Sequence, residues 1–145
     1  MACQFSLSAT ATQSGVRDLL TGCRRALVSA KVPAAWRGTV ELVWAEALNN
    51  IAEHAYADDV PGPVKIMATV KDERIAADIR DRGRPLPGLS PPPRHLPDSD
   101  GPTEALPEGG FGWFLIKGLC ETVEYQRKAG ENHLHLVVHI PRYTA

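Results

Sequence analysis

Residues 46–56 read EALNNIAEHAY and lie in a helix that apolar spacing predicts for about residues 34–57. Glu46 and Asn50 are four residues apart, so they are neighbours on the helix surface, roughly 100–130° from the middle of its apolar stripe. A carboxylate in that place can accept a proton or orient a hydroxyl group. An amide oxygen suits Mg²⁺, which prefers oxygen ligands. A plain polar rim of the helix would have the same residues, so the pair alone leaves both interpretations open.

The remaining elements follow from hydrophobic periodicity on either side of this helix. Alternation predicts a strand at residues 3–9, helical spacing predicts a helix at 13–31, and residues 64–70 and 75–80 form a predicted hairpin. A proline-rich segment, residues 86–108, is too irregular for a helix or central strand and is interpreted as a lid. A short helix to about Cys120 and two final strands follow. The order predicts one α+β domain over residues 1–145, a two-layer sandwich with helices on one face of a mainly antiparallel mixed sheet.

Composition excludes several classes of protein. The chain has 145 residues, 43% of them hydrophobic and 23% charged, with a net charge of −1. Such a balance gives no strong field toward nucleic acid, and no apolar run approaches the roughly 18 residues of a membrane span. Three cysteines lack metal-ligand spacing and are expected to be reduced, buried and small hydrophobes. We therefore expect a cytoplasmic protein without direct nucleic-acid or membrane contacts.

Asp81 stands out at the end of the predicted hairpin. It continues the alternation of Ile75, Ala77 and Ile79, so its carboxylate is expected to point toward the apolar face, where it needs hydrogen-bond donors. Gly83 removes a side chain where another group could approach closely. An amino group on a flat apolar ring would satisfy both residues. An aspartate that caps a turn at the end of a strand is the alternative.

A glycine cluster, Gly109-Gly110-Phe111-Gly112, precedes the next predicted helix. Glycines permit close backbone approach, and the free N–H groups of a helix N-terminus attract phosphate. The cluster alone would equally suit a flexible hinge. The chain has no P-loop motif, and no GxGxxG follows a strand.

Taken in order, these three motifs resemble those of the GHKL ATPases. Residues 46–56 resemble the N box, residues 81–85 (DRGRP) the DxGxP box, and residues 109–112 the second glycine box. The wording of the N box, together with GFGWFLIK at 110–117 and VEY at 123–125, resembles the anti-sigma factor serine kinases within that superfamily. The resemblance implies the Bergerat ATP-binding fold and covers roughly residues 5–140.

The resemblance also implies a role for each matching residue. Glu46 would be the general base or would orient the attacking hydroxyl, and Asn50 would bind Mg²⁺. Asp81 would accept from the adenine amino group, with Gly83 and Pro85 of the same box beside the ring. The glycine-box residues would let the lid and the following helix close on the phosphates; they are Gly109, Gly110, Phe111 and Gly112.

By the same resemblance the protein would be a serine/threonine-protein kinase that uses Mg-ATP. Its substrate would be an anti-anti-sigma protein of the STAS type, and it would sequester a sigma factor, which implies transcription regulation in a stress response. A homodimer is expected because relatives dimerise and the N-terminal edge strand could pair. Two alternatives remain: an ATP-binding regulatory module without phosphotransfer, and a detached histidine-kinase catalytic domain, for which no dimerisation segment with a phosphoacceptor histidine is found.

Two stretches depart from the family pattern. Relatives often carry threonine near the adenine in the last strand, where this chain has His133 and His135. The sequence therefore predicts an altered adenine side of the site. Glu108 precedes the glycine box where a basic residue could meet phosphate, and Arg84 and Arg94 are the candidate substitutes.

Overall fold

A computed structural model of the chain describes residues 2–56, 60–87, 91 and 110–141. Gly109, Glu108 and Arg94 lie outside these residues, as do most of the predicted lid and the side chain of Phe111.

The core of the fold is a five-stranded sheet. Its strands are β1 (Cys3–Thr10), β2 (Pro63–Lys71), β3 (Arg74–Asp81), β4 (Thr122–Lys128) and β5 (Glu131–His139). Their order across the sheet is β1-β2-β3-β5-β4, and all four pairings are antiparallel. The predicted α+β sandwich with a mainly antiparallel sheet is confirmed, and no parallel pairing occurs among the described residues.

Three α-helices cover one face of the sheet: α1 (Gln13–Ser29), α2 (Ala34–Asn50) and α3 (Gly110–Leu119). Alternate residues of the strands, such as Ile66, Ile79 and Leu136, are fully buried beneath them. The helices contribute their own apolar stripes to the same core, and Trp44 of α2 meets Phe5 of β1 edge to face at 6.1 Å between ring centroids. This periodicity-two burial on one face explains why the strands could be located from the sequence.

The helix that carries the N box differs from its prediction. The α-helical part ends at Asn50, and residues Ile51–Ala55 form a π-helix, so a regular helix to residue 57 was a wrong prediction. Nearby groups hold the widened turn. The Ala55 carbonyl accepts from the Arg84 backbone N–H at 2.9 Å, and the Tyr56 hydroxyl donates to the Pro63 carbonyl at 2.9 Å. A π-helical turn, here continuing α2 beyond its last residue, is uncommon and often marks a functional site.

Two tight turns set the strand registers near the site. Asp72 and Glu73 join β2 to β3 in the predicted hairpin, and Ala129 and Gly130 join β4 to β5, all with positive φ angles. Such turns match the twist of a two-residue hairpin. The pairing of β3 with β5, which neither turn joins, places Asp81 directly opposite Asn132 on β5.

The cysteines behave differently from one another. Cys23 is buried and Cys120 is partly buried, but Cys3 is exposed. The prediction of three buried cysteines was therefore wrong for Cys3, which lies on the edge strand β1 close to the chain terminus.

Candidate nucleotide site

Glu46 and Asn50 meet the start of α3. A Cβ atom added to Gly112 would lie 2.8 Å from Glu46 Oε2 and 3.7 Å from both polar atoms of the Asn50 amide. Glycine is therefore the residue that lets α3 approach the two polar side chains of α2 this closely. The structure brings together one predicted residue of the glycine box and both predicted polar residues of the N box.

The Asn50 amide carries a polar atom with an unmet hydrogen-bonding requirement. Its Nδ2 atom is buried and has no hydrogen-bond partner among the described residues. Buried polar groups in native proteins almost always have a partner, and rotating the amide by half a turn exchanges its nitrogen and oxygen. An unsatisfied amide beside a carboxylate, at a cradle left open by a glycine, fits a site that receives a ligand with a cation.

Asp81 is buried as predicted, with 5% of its surface exposed. Its Oδ1 atom accepts from the Gly83 backbone N–H at 2.9 Å and from Asn132 Nδ2 at 2.9 Å. Burial raises the pKa of Asp81 above its ordinary value, an effect opposed by these two hydrogen bonds and by the charge of Arg127. The carboxylate is thus held by donors on one oxygen, in the low-dielectric setting where a further donor binds strongly.

Gly83 lies where the chain after β3 passes the π-helix. A Cβ atom at this position would be 2.5 Å from both the Cβ and the carbonyl oxygen of Ala55. The glycine therefore serves the packing of the protein's own backbone, whereas the sequence suggested room for a ligand ring. Arg84 next to it donates to the His54 carbonyl at 3.0 Å, and Pro85 follows as an exposed residue.

A polar network behind Asp81 was not identified from the sequence. Asn132, 5% exposed, donates to Asp81 and to the Arg84 carbonyl at 2.9 Å each. Its Oδ1 accepts from the Tyr125 hydroxyl and from Arg127. Tyr125 also accepts from the Leu86 backbone N–H at 3.1 Å, and Arg127 donates to the Gly83 carbonyl at 2.6 Å. Through these bonds the network holds the loop after β3 at Gly83, Arg84 and Leu86.

The two histidines of the last strand do not border this carboxylate. His133 and His135 alternate with the buried Leu134 and Leu136, so they lie on the sheet face away from the helices. His135 Nδ1 is 2.9 Å from Asp78 and His133 Nε2 is 2.6 Å from Glu131. The predicted alteration of the adenine side by these histidines was wrong, because strand alternation turns both side chains outward; Asn132 occupies the position opposite Asp81.

No group of three or more histidine, cysteine, aspartate or glutamate residues in the described part of the chain could hold a metal ion. A cation at Asn50 would therefore be completed by phosphate oxygens and water, as is usual for Mg²⁺. Among the described residues, no helix has both the length and the apolar character needed to cross a membrane.

This arrangement of sheet, N-box helix and glycine-led helix defines a class of protein. Residues 9–138 match the family model of the histidine kinase-like ATPase domain, and the chain belongs to that family. Two curated relatives narrow the assignment. The chain is 32% identical over 139 residues to the serine/threonine-protein kinase BtrW of Bordetella bronchiseptica, covering 93% of this chain and 92% of BtrW. It is 34% identical over 89 residues to the serine-protein kinase RsbW of Oceanobacillus iheyensis, covering 59% of this chain and 54% of that protein.

Solved structures show the same fold. The RsbU and RsbW domains of a Mycobacterium tuberculosis protein match with a TM-score of 0.68 at 18% identity, over 97% of this chain and 33% of that one. The blue-light activated histidine kinase of Erythrobacter litoralis matches with a TM-score of 0.51 at 20% identity, over 75% of this chain and 32% of the kinase. The family model and the two curated kinases together confirm the predicted membership of the anti-sigma factor serine-protein kinase family, within the GHKL superfamily.

Proposed function

We propose that the protein is a serine/threonine-protein kinase that uses Mg-ATP and acts as an anti-sigma factor. The observation that carries the proposal is the convergence of Glu46, Asn50 and Gly112, in which a carboxylate and an unsatisfied amide meet the start of a helix. A helix start of this kind offers free N–H groups to phosphate. The kinase names of the relatives support the same activity.

Each part of the site has a role in this proposal. Asp81 accepts from the adenine amino group, and the first turn of α3 receives the phosphates. Asn50 would hold Mg²⁺, which when bound neutralises charge on the phosphates. Glu46 accepts the proton of the attacking serine or threonine hydroxyl, or orients that hydroxyl. The hydroxyl oxygen then forms a bond to the γ-phosphorus, and the bond from that phosphorus to ADP breaks. In phosphoryl transfer the protein mainly positions groups and offsets charge, so this small set of residues is sufficient.

The substrate in this proposal is an anti-anti-sigma protein of the STAS type, phosphorylated on a serine or threonine. The added phosphate would weaken that partner's binding by charge repulsion. The freed kinase then sequesters a sigma factor and so regulates transcription in a stress response. This sequence of events takes place in the cytoplasm, with no direct contact of the protein to nucleic acid.

Glu46 provides the decisive test. The protein, Mg-ATP labelled in the γ-phosphate and a candidate STAS-type partner are incubated together, and label on the partner is measured. We expect Glu46→Ala to reduce transfer by at least about a hundredfold while ATP affinity, measured by calorimetry, stays unchanged. Glu53→Ala is the matched control, because Glu53 is an exposed carboxylate further along the same helical segment, with 56% of its side chain accessible.

The outcomes separate two functions. Full transfer by Glu46→Ala would remove Glu46 from the catalytic role. ATP binding by the wild-type protein without transfer to any STAS-type partner would support an ATP-binding regulatory module in place of a kinase.

We also propose a homodimer. The strand β1 lies at one end of the sheet order, so its outer edge can pair with a second copy. Light scattering at micromolar concentration should give the mass of two chains, and a monomeric mass would contradict the proposal.

A further inference from the structure

Asn132 has no hydrogen-bonding capacity to spare. Its two amide hydrogens go to Asp81 Oδ1 and to the Arg84 carbonyl, both at 2.9 Å. Its carbonyl oxygen accepts from the Tyr125 hydroxyl and from Arg127 Nη1. A primary amide offers two donors and two acceptor lone pairs, so all four are used. A flipped amide would set oxygen against oxygen at Asp81 and nitrogen against two donors, so its orientation is fixed.

This fixed amide determines how Asp81 can bind a ligand. Asp81 Oδ1 accepts from two donors of the protein itself, Asn132 Nδ2 and the Gly83 N–H. Oδ2 takes part in neither bond. An ionised carboxylate with both oxygens available can accept a pair of parallel donors. Asp81 has one oxygen committed, and it therefore presents a single acceptor.

The two common purines differ in how they meet such a group. Guanine carries neighbouring donors, the ring N1–H and the exocyclic 2-amino group, which suit a carboxylate with two open oxygens. Adenine presents one exocyclic amino donor beside a ring acceptor. A carboxylate reduced to one acceptor loses the paired interaction with guanine and keeps the single bond to adenine. An unmet polar group in a binding site discriminates strongly against the wrong ligand.

We propose that Asn132 is the specificity-determining residue of the base site. By occupying Asp81 Oδ1, it makes the site selective for adenine nucleotides over guanine nucleotides. The proposal rests on the proposed nucleotide-binding function and adds the residue that excludes the competing base. Tyr125 and Arg127 act through Asn132 as positioning residues, because they hold its amide in the orientation that donates to Asp81.

The wild-type protein provides a first test that needs no substitution. ATP, GTP and ITP are titrated by calorimetry in the presence of Mg²⁺; ITP has the guanine edge without the 2-amino group. Because the second carboxylate oxygen is occupied, the 2-amino group should add no affinity. We expect GTP and ITP to bind alike, both at least about tenfold more weakly than ATP. GTP binding about tenfold tighter than ITP would overturn the proposal, since both oxygens would then be available.

A substitution provides the second test. Asn132→Leu keeps the approximate size of the side chain and removes its donors, which frees one of the two acceptor positions on Asp81 Oδ1 and leaves the Gly83 N–H on the other. The ratio of the dissociation constants for GTP and ATP should fall by about tenfold or more relative to wild type, and GTP should gain over ITP. Asn132→Thr keeps a hydroxyl donor and should retain the wild-type ratio. Gln126→Ala is the matched control, since it removes an amide from β4 on the opposite face of the sheet.

The outcomes are distinct from those of the proposed function. A wild-type protein that binds no nucleotide overturns the nucleotide-binding function itself. A wild-type protein that binds ATP, with a GTP to ATP ratio unchanged in Asn132→Leu, overturns only the role of Asn132, because equal weakening of both ligands is what a purely structural residue would produce. If Asn132→Leu does not fold, as judged by its melting curve, the ITP comparison in the wild type decides the question.

Discussion

Glu46 Oε2 lies 2.8 Å from the place that a Cβ atom of Gly112 would occupy. This distance is shorter than ordinary contacts between a side-chain oxygen and carbon, so the absence of a side chain at Gly112 permits the position that the proposed catalytic carboxylate occupies. The relationship connects the second glycine motif to the N box through direct contact within the protein.

Gly112→Ala should reduce phosphotransfer by about tenfold or more with little change in stability. The added methyl group meets the far end of a flexible glutamate side chain, which can move aside, and alanine favours the helix by about 1 kcal/mol over glycine. A displaced carboxylate loses its alignment with the hydroxyl, and small misplacements are costly to catalysis. Label transfer and the melting temperature are measured together.

Gly38→Ala is the control for this experiment, because a Cβ atom at Gly38 of α2 would meet nothing within 4 Å. It should raise the melting temperature slightly and leave transfer unchanged. Full transfer activity in Gly112→Ala would show that Glu46 does not need its present position.

Gly83→Ala, unlike Gly112→Ala, should lower the free energy of unfolding, by about 1–3 kcal/mol. Its methyl group would meet the Ala55 carbonyl oxygen at 2.5 Å, and a backbone atom cannot move aside without disturbing the π-helix. The free energy of unfolding is measured by urea denaturation. Ala55→Gly removes the neighbouring Cβ but not the carbonyl, so the double variant should recover only part of the loss. A Gly83→Ala protein as stable as wild type would contradict the close packing described for this loop.

Asp81→Asn should stabilise the fold by about 1 kcal/mol at neutral pH while abolishing ATP binding. Burial raises the pKa of Asp81 above its ordinary value, so the ionised form is disfavoured in the folded protein. Its contribution to stability is present below the ordinary pKa of aspartate and is lost as the pH rises through the folded-state pKa. The stability difference between variant and wild type should therefore grow from acid to neutral pH in urea titrations. A difference that shrinks over that range would reverse the assigned direction.

The thiols should separate clearly by reactivity. Burial raises the pKa of Cys23 to about 12, with the charge of Glu41 adding to the effect, and burial raises the pKa of Cys120 to about 12. Because the thiolate is the reactive form, iodoacetamide at pH 8 should label exposed Cys3 first. Cys23 and Cys120 should react only after unfolding in urea, as read by mass spectrometry of peptides. Rapid labelling of Cys23 in the folded protein would contradict its complete burial.

Periodicity was enough to predict the fold because the elements have one buried face each. Alternation at Ile75, Ala77 and Ile79 located β3 and correctly implied that Asp81 points into the core. The break at Asn50 was not predictable in this way, since the π-helix is held in part by the hydrogen bond from the Arg84 backbone N–H, in the loop after β3, to the Ala55 carbonyl.

The network around Asp81 shows where sequence reasoning stopped. Asn132 reaches Asp81 across 51 positions, and only the register of β3 against β5 places them opposite each other. The sequence drew attention to His133 and His135, which are neighbours of Asn132 on the same strand. Their side chains, however, lie on the face of the sheet away from Asp81. A one-residue difference along a strand exchanges the two faces of the sheet, and that detail decides which side chain touches the site.

The pairing of Asp81 with Asn132 joins two parts of the chain that are synthesised far apart in time. Until β5 has been made, β3 lacks its partner strand on that side and Asp81 has no amide donor from Asn132. The last hairpin must be translated and must pair before the carboxylate has its full set of partners. A nascent chain that ends before residue 132 lacks part of the proposed base site, so a nucleotide bound there would stabilise only the finished domain and would not guide its earlier folding steps.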